Sequence, residues 1–293
     1  MNLLPYLIRG LATGGQYALV AIGYTMVYGI LKLINFAHAD LFMVSGMIMI
    51  YLVADFPTLP LWIAILAMII LTVFIGFLIE KFAYTPLRQA PRMSVMISAI
   101  GVSYLLQNLV CYITGGLSKQ YPDLPIISDS IRVLGVKDKV AVFISPIVAV
   151  ILTVILVMII NHTKFGMSMR AVSKDFETSQ LMGIKINRVI SVTFAIGAFL
   201  AAIGGMLYFA KNSGINHMAG SNPGLKAFIA AVVGGIGSVP GAVVGAIIIG
   251  VVESLAKAVG LADFSDVISF AILIIILVVK PTGIFGEKTT DKV

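Results

Sequence analysis

The sequence predicts an all-α fold, a polytopic transmembrane helical bundle forming one domain over residues 1–293. Composition is the first ground: 59% of residues are apolar and 11% charged, against roughly a quarter charged in soluble domains. The second is that unbroken apolar stretches of about 20 residues recur along the chain, and a helix of that length spans about 30 Å of hydrocarbon. The third is uniformity. Barrel strands would be about 10 residues long and alternate in polarity, and lipid offers no partner for the free backbone of anything but a helix or a closed barrel.

In order, the apolar runs fall near 11–31, 38–54, 61–80, 94–114, 140–160, 189–210, 238–257 and 265–280, about eight spans, with a short ninth segment at 225–236. The first run lacks a small-residue cleavage site behind a short apolar core and reads as a retained span, not a removed signal. Small residues at helix-contact spacing, Gly197, Ala201 and Gly205 on one run and Gly241 and Gly245 on another, allow close helix approach. Packing within the subunit explains them more simply than a dedicated dimer seam.

The 20 Lys and Arg residues, which give a formal charge of +7, are scattered singly between the runs and report topology, not a nucleic-acid partner. The 161–188 loop holds Lys164, Arg170, Lys174, Lys185 and Arg188, and leans toward the cytoplasm. The 115–139 loop, with Lys119, Arg132, Lys137, Lys139, Pro122 and Pro125, would then face outward. Arg88, Arg92, Lys280, Lys288 and Lys292 share the first side if each long run crosses once. Counting the short segment leaves parity unsettled at both ends, so at least one segment is expected to be broken or re-entrant.

Two interruptions stand out. In Lys32-Leu33-Ile34-Asn35-Phe36-Ala37-His38-Ala39-Asp40, polar side chains break what would otherwise be continuous apolar sequence, costly if exposed to lipid. Asn35 suits the N-cap of a helix opening at Phe36, with His38 and Asp40 in its first turns, which predicts a broken helix with its positive end inside the bundle. Such an end can line a pathway, or the polar groups can simply hold the bundle together. The second interruption, Gly234-Gly235-Ile236-Gly237-Ser238-Val239-Pro240-Gly241, cannot continue a regular helix. The two lie at roughly corresponding positions in the halves of the chain, which hints at an internal structural repeat, and Phe36, Gly234, Gly235 and Gly237 join Asn35, His38 and Asp40 as pathway candidates.

The third informative stretch, Gly166 to Ile184, is polar. Ser173 can cap a short helix, Asp175 and Glu177 sit in its first turn where the dipole favours acids, and Gly183 can end it in a left-handed conformation. Glu177-Thr178-Ser179 followed by three residues and Gly183 is similar in spacing to the Glu-Ala-Ala-x-x-x-Gly loop by which ABC importer permeases dock onto their ATPases, although the isoleucine and Leu-Pro that often follow are not at the expected spacing. The docking candidates are Arg170, Ser173, Asp175, Glu177, Thr178, Ser179 and Gly183.

Taken together, these stretches resemble the LivH-type permease family of branched-chain amino-acid ABC importers along nearly the whole chain. The resemblance rests on Gly15-Gln16-Tyr17-Ala18-Leu19, Ile34 to His38, Pro86-Leu87-Arg88, Met169-Arg170-Ala171 with Leu181-Met182-Gly183-Ile184, and Lys226-Ala227-Phe228 with the Gly234 to Gly241 run. One departure is Ala39, where the family usually has glycine. The resemblance implies the ABC importer permease fold, a bacterial inner-membrane location, a second related (LivM-like) permease, two cytoplasmic ATPases and an external solute-binding protein. It also implies that ATP and Mg are held by the ATPases, with no cofactor on this chain. A same-family permease for urea, amides or other amino acids shares these motifs.

Other chemistry finds little support. Gly14-Gly15-Gln16 matches part of an ATPase signature but opens an apolar run, the chain has no Gly-x-x-x-x-Gly-Lys loop, and the glycines from Gly283 onward have the wrong spacing for one. Cys111 is the lone cysteine, and His38, His162 and His217 form no compact metal motif. Glu253 and Lys257, four apart on one helix face, read as a structural pair with a gating role as the alternative. A stand-alone carrier or channel would need more buried acids than Asp40, and an intramembrane enzyme would need a nucleophile with its base.

Overall fold

The computed structural model describes residues 3–88, 90–133 and 135–286; Lys288, Lys292 and the Glu287 to Thr289 stretch lie outside the described residues. The helices are α1 (Leu4–Leu31), α2 (His38–Asp55), α3 (Leu61–Ile79), α4 (Arg92–Thr114), α5 (Val140–His162), α6 (Lys164–Lys174), α7 (Phe176–Leu181), α8 (Ile186–Lys211), α9 (Ser221–Gly234), α10 (Val239–Ala258) and α11 (Ser265–Val279). A π-helical turn, Glu80–Tyr84, continues α3, and a 3-10 turn, Ala262–Phe264, precedes α11. The all-α expectation is modified only by two small antiparallel ribbons: β1 (Lys119–Gln120) pairs with β4 (Gly214–Ile215), and β2 (Ser130–Val133) with β3 (Val136–Lys139).

Among the described residues, seven helices are long and apolar enough to cross a membrane. The 28-residue α1 has the length as well, but Gly, Tyr, Thr and Gln dilute its hydropathy, because most of its surface meets protein instead of lipid. At about 1.5 Å per residue the 14-residue α9 falls short of a full hydrocarbon span. Burial separates two layers: 61% of the α2, α8 and α10 spans is enclosed against 17% of α5 and 11% of α11, so the former surround α1 and the latter present apolar surface to lipid.

Glycines let this centre close. A methyl at Gly10 or Gly14 would lie 2.8 Å from the α10 backbone at Val251 or Ile247, and one at Gly15 would lie 2.9 Å from Pro146 in α5. The predicted small-residue faces also pack within the subunit: Gly205 abuts Phe42 and Ser45 of α2, and Gly245 abuts Ala230 of α9.

Contacts between distant segments define the two ends of the bundle. At one, Arg9 pairs with Asp138 at 2.6 Å, Lys211 reaches Thr13 at 3.1 Å, Lys139 donates to the Ala210 carbonyl and Ser254 to that of Tyr6. At the other, Arg88 bonds Asn187 beside α6 and α7. The chain therefore shuttles between ends: α1, α3, α5, α9 and α11 run one way, and α2, α4, α8 and α10 return. The parity problem is resolved by α9 acting as a short crossing and by α2 opening deep inside, where His38 lies against Gly23 of α1 and Gly197 of α8.

Candidate functional site

The first interruption makes the polar centre of the bundle. A turn at residues 36 and 37 precedes α2, which opens at His38 with Ala37 at its N-cap position and no side-chain cap. The expectation that Asn35 caps a helix starting at Phe36 is therefore corrected. The turn sends the Asn35 carboxamide toward the π-helical segment, where its Oδ1 accepts from the Tyr84 hydroxyl at 2.7 Å, while its backbone carbonyl accepts from the His38 amide. Tyr84 is itself buried, tilted against Phe194 of α8 at 5.0 Å.

His38 and Asp40 are both almost wholly buried. The His38 ring meets Tyr24 edge-on at 5.2 Å, and its Nε2 has no hydrogen-bond partner among the described residues. Asp40 accepts from Gln107 of α4 at 2.9 Å through Oδ1, and its Oδ2 has no hydrogen-bond partner among the described residues. Its place in the first turn of α2 is favoured by the helix dipole. Unsatisfied polar atoms in a bundle interior are costly. Phe36 and Tyr24 both approach Phe228 of α9, at 6.5 and 6.1 Å, so this interruption and the Lys226-Ala227-Phe228 motif come together.

The departure at Ala39 is accommodated across the interface. Gly224 of α9 and Gly220 just before it lie against Ala39, and a methyl at Gly224 would overlap the Ala39 side chain.

The second interruption lies elsewhere. Gly234 ends α9, Gly235 and Gly237 take φ of 107° and 103°, and Ser238 caps α10 by accepting from the Gly241 amide at 3.2 Å. Ile284 and Phe285, past the end of α11, donate to the Val233 and Gly234 carbonyls at 3.0 and 2.9 Å. Gly234, Gly235 and Gly237 thus form a strapped turn at the bundle end, whereas Asn35 and His38 lie within it; the two interruptions differ in depth.

The polar loop folds as two helices instead of the single one expected. Asp175, in extended conformation, breaks them apart and caps α7, accepting from the Thr178 amide at 3.1 Å and hydroxyl at 2.6 Å. Those bonds, the hydroxyl's first, hold its carboxyl below the usual aspartate range. Ser173 is not the cap: it lies within α6, and its hydroxyl donates to the Arg170 carbonyl. Gly183, at φ 80°, closes α7 with the Ile184 amide on the Ser179 carbonyl and its own amide on Gln180, the two bonds of a Schellman motif. Glu177 and Thr178 stand exposed, Ser179 is buried, Arg170 reaches Asn161 at 3.3 Å, and Leu181 and Met182 are exposed at the tip.

A cleft of about 870 Å³ runs from this loop into the bundle, lined by Phe176 and Gln180 of α7, by Arg88, Arg92 and Asn187, and by Tyr84. Its wall is anchored by Glu80, which is buried and accepts from Arg88, from Thr85 at 2.8 Å and from Ser191 at 2.7 Å. Tyr84, Gln107 and Glu80 were not singled out by sequence reasoning. The amide pair Gln107-Asn108 in an apolar run was the available signal for Gln107, but its partner could not be read without the fold. Lys226 was noted only as part of a motif; it is buried and pairs with Glu253 at 3.1 Å and Asp266 at 2.7 Å, while Glu253 also receives Tyr17 at 2.9 Å and Lys257 at 2.7 Å. The expected Glu253–Lys257 pair is present within that network.

Comparison with known proteins gives this geometry its setting. The family described as branched-chain amino acid transport system, permease component, matches residues 6–277. The LivH permease protein of the high-affinity branched-chain amino acid transport system of Escherichia coli is 38% identical, covering 99% of this chain and 97% of that one. The BraD permease protein of the corresponding system of Pseudomonas aeruginosa is 40% identical over 99% of this chain and 98% of its own. A metal-chelate type ABC transporter solved in an inward-facing conformation superposes with a TM-score of 0.53 at 16% identity, over 93% of this chain and 85% of that one, and shares the fold. With a match running from α1 into α11, the chain belongs to the permease-component family of branched-chain amino acid transport systems.

Proposed function

We propose that this chain is the membrane-spanning permease subunit of an ABC importer for branched-chain amino acids, contributing half of the translocation pathway. It works beside a second, LivM-like permease in a bacterial inner membrane. Two cytoplasmic ATPases hold the ATP and Mg, and an external solute-binding protein delivers substrate. The 161–188 loop faces the cytoplasm and the 115–139 loop faces outward.

The observation that carries this reading is the continuity from α7 to the interior. Glu177 and the exposed tip at Leu181 and Met182 offer a docking surface, Phe176 and Gln180 line the same cleft as Tyr84, and Tyr84 holds Asn35 just before α2 opens. A push on α7 is thereby passed to the segment that carries His38 and Asp40. The relatives' names supply the substrate class.

Reconstitution tests it. In proteoliposomes the chain alone should move no leucine, and the chain with both ATPases, the second permease and the binding protein should accumulate leucine only when ATP is supplied. Leucine accumulation by the chain alone would refute the assignment.

A further inference from the structure

We propose that the cleft between α9 and α11 binds one free zwitterionic amino acid, its carboxylate on Lys226, its ammonium on Asp266, and an aliphatic side chain against Leu225, Ile229 and Phe270. This deepens the transport reading above and rests on it for the choice of leucine as probe.

The cleft has a volume of about 290 Å³. That is the small end of ligand pockets, and room for roughly ten waters at about 30 Å³ each, the scale of one small amino acid. It lies at the end of α9 and α11 that is read as outer, where a delivered substrate would arrive.

Its chemistry is two-sided. Lys226 is a buried cation with its side chain 8% exposed, fixed from behind by Glu253 at 3.1 Å. Asp266, 2.7 Å from Lys226, is 48% exposed and held otherwise by Asn222 at 3.3 Å and, at 3.5 Å, by the Ser265 hydroxyl, so it can swing toward water without leaving a buried charge. Lys257, at 2.7 Å, balances the second oxygen of Glu253. Two cations and two carboxylates are thus matched, and any visitor must preserve the match, since unpaired buried charge is heavily penalised. A zwitterion does so. Its carboxylate replaces Asp266 on Lys226, and the displaced Asp266 receives the ammonium.

An anion alone would face Asp266 with nothing to offer it, and a cation alone would face Lys226. The α9 terminus at Ser221, which borders the cleft, adds positive potential on the carboxylate side. Of the remaining wall, Leu225, Ile229 and Phe270 are apolar and Ser269 spends its hydroxyl on the Ser265 carbonyl, so this side suits a branched aliphatic chain better than a polar one.

The test is equilibrium binding of radiolabelled leucine to the complete purified transporter without its binding protein. The unaltered complex should bind saturably. Asp266→Asn, which keeps the bond to Asn222 but loses the charge, should weaken binding roughly tenfold to a hundredfold. Ile229→Trp, which fills the cleft, should abolish it, with assembly of each variant checked by co-purification of the ATPases. As competitors, 4-methylpentanoate and 3-methylbutylamine should each displace leucine far less well than isoleucine does. Absence of saturable binding to the unaltered complex, equal binding by both variants, or competition by the carboxylate alone as strong as by isoleucine would each overturn the proposal. If instead the full system with its binding protein transported no leucine, the broader transport reading would fail, and that is a separate measurement.

Discussion

The Tyr84 hydroxyl donates to Asn35 Oδ1 across 2.7 Å, joining the π-helical turn after α3 to the segment that leads into α2. Both residues are buried, so removing the donor strands the carboxamide oxygen away from water. Tyr84→Phe should cost about 1–3 kcal/mol, because a buried acceptor that loses its partner forfeits its solvation as well. A thermal melt in detergent would show it, and in a double-mutant cycle with Asn35→Ala the two changes should be far from additive. Additive effects would separate the two residues and cut the proposed link between α7 and the interior.

Glu177→Lys and Gly183→Pro should each lower leucine uptake by roughly an order of magnitude while the subunit still inserts and assembles. Glu177 is exposed, so reversing its charge alters the proposed docking surface and not the bundle. At Gly183, φ is 80° and the amide donates to Gln180. Proline locks φ near −65° and has no amide, which destroys the Schellman closure and, at about 1.4 kcal/mol per tenfold, accounts for an effect of that size. Uptake at normal rates by both variants, with ATP hydrolysis still coupled, would move the docking site elsewhere.

Acidification should loosen α7. The Thr178 hydroxyl and then its amide hold the Asp175 carboxyl below the usual aspartate range, so the folded pKa is lower than the unfolded one. The cap's contribution is then complete above the ordinary aspartate pKa of about 3.9 and is lost as pH falls through the lowered folded value. Hydrogen exchange of the Phe176–Leu181 amides, corrected for intrinsic rates, should lose protection across that acidic interval. Asp175→Asn, which can still accept a bond but does not titrate there, should show a flat profile. A flat profile in the unaltered protein would remove the capping carboxylate from the account.

What the sequence disclosed follows from how local each signal was. Apolar runs report solvent, and the solvent of each helix is local, so α2 to α5, α8, α10 and α11 lie close to the expected spans. Gly183 was legible because a left-handed cap has a one-residue signature. Asn35 was misread as a cap because cap propensity is local whereas its real partner, Tyr84, is brought in by another helix. Ser173 lost the capping role to Asp175 because two residues of good cap type, separated only by Lys174, cannot be ranked without knowing where the backbone turns extended. Lys226 illustrates the same limit: its partners, Glu253 and Asp266, come from two later helices.

The contact between Ala39 and Gly224 yields a reciprocal test of the α2–α9 interface. The Ala39 methyl occupies the space that Gly224 leaves open. Gly224→Ala puts a second methyl into the same space, and overpacking of this kind typically costs about 1–3 kcal/mol. Because the crowding comes from two side chains and not from the helix backbones alone, Ala39→Gly should relieve it: the double variant, with the methyl moved across the interface, should melt close to the unaltered protein. Phe36, Tyr24 and Phe228 share this interface, so Gly224→Ala alone should also depress uptake and the double variant should restore it. A double variant as unstable as Gly224→Ala would mean that the helices do not approach at these two residues, and the placement of α9 against the start of α2 would have to be redrawn.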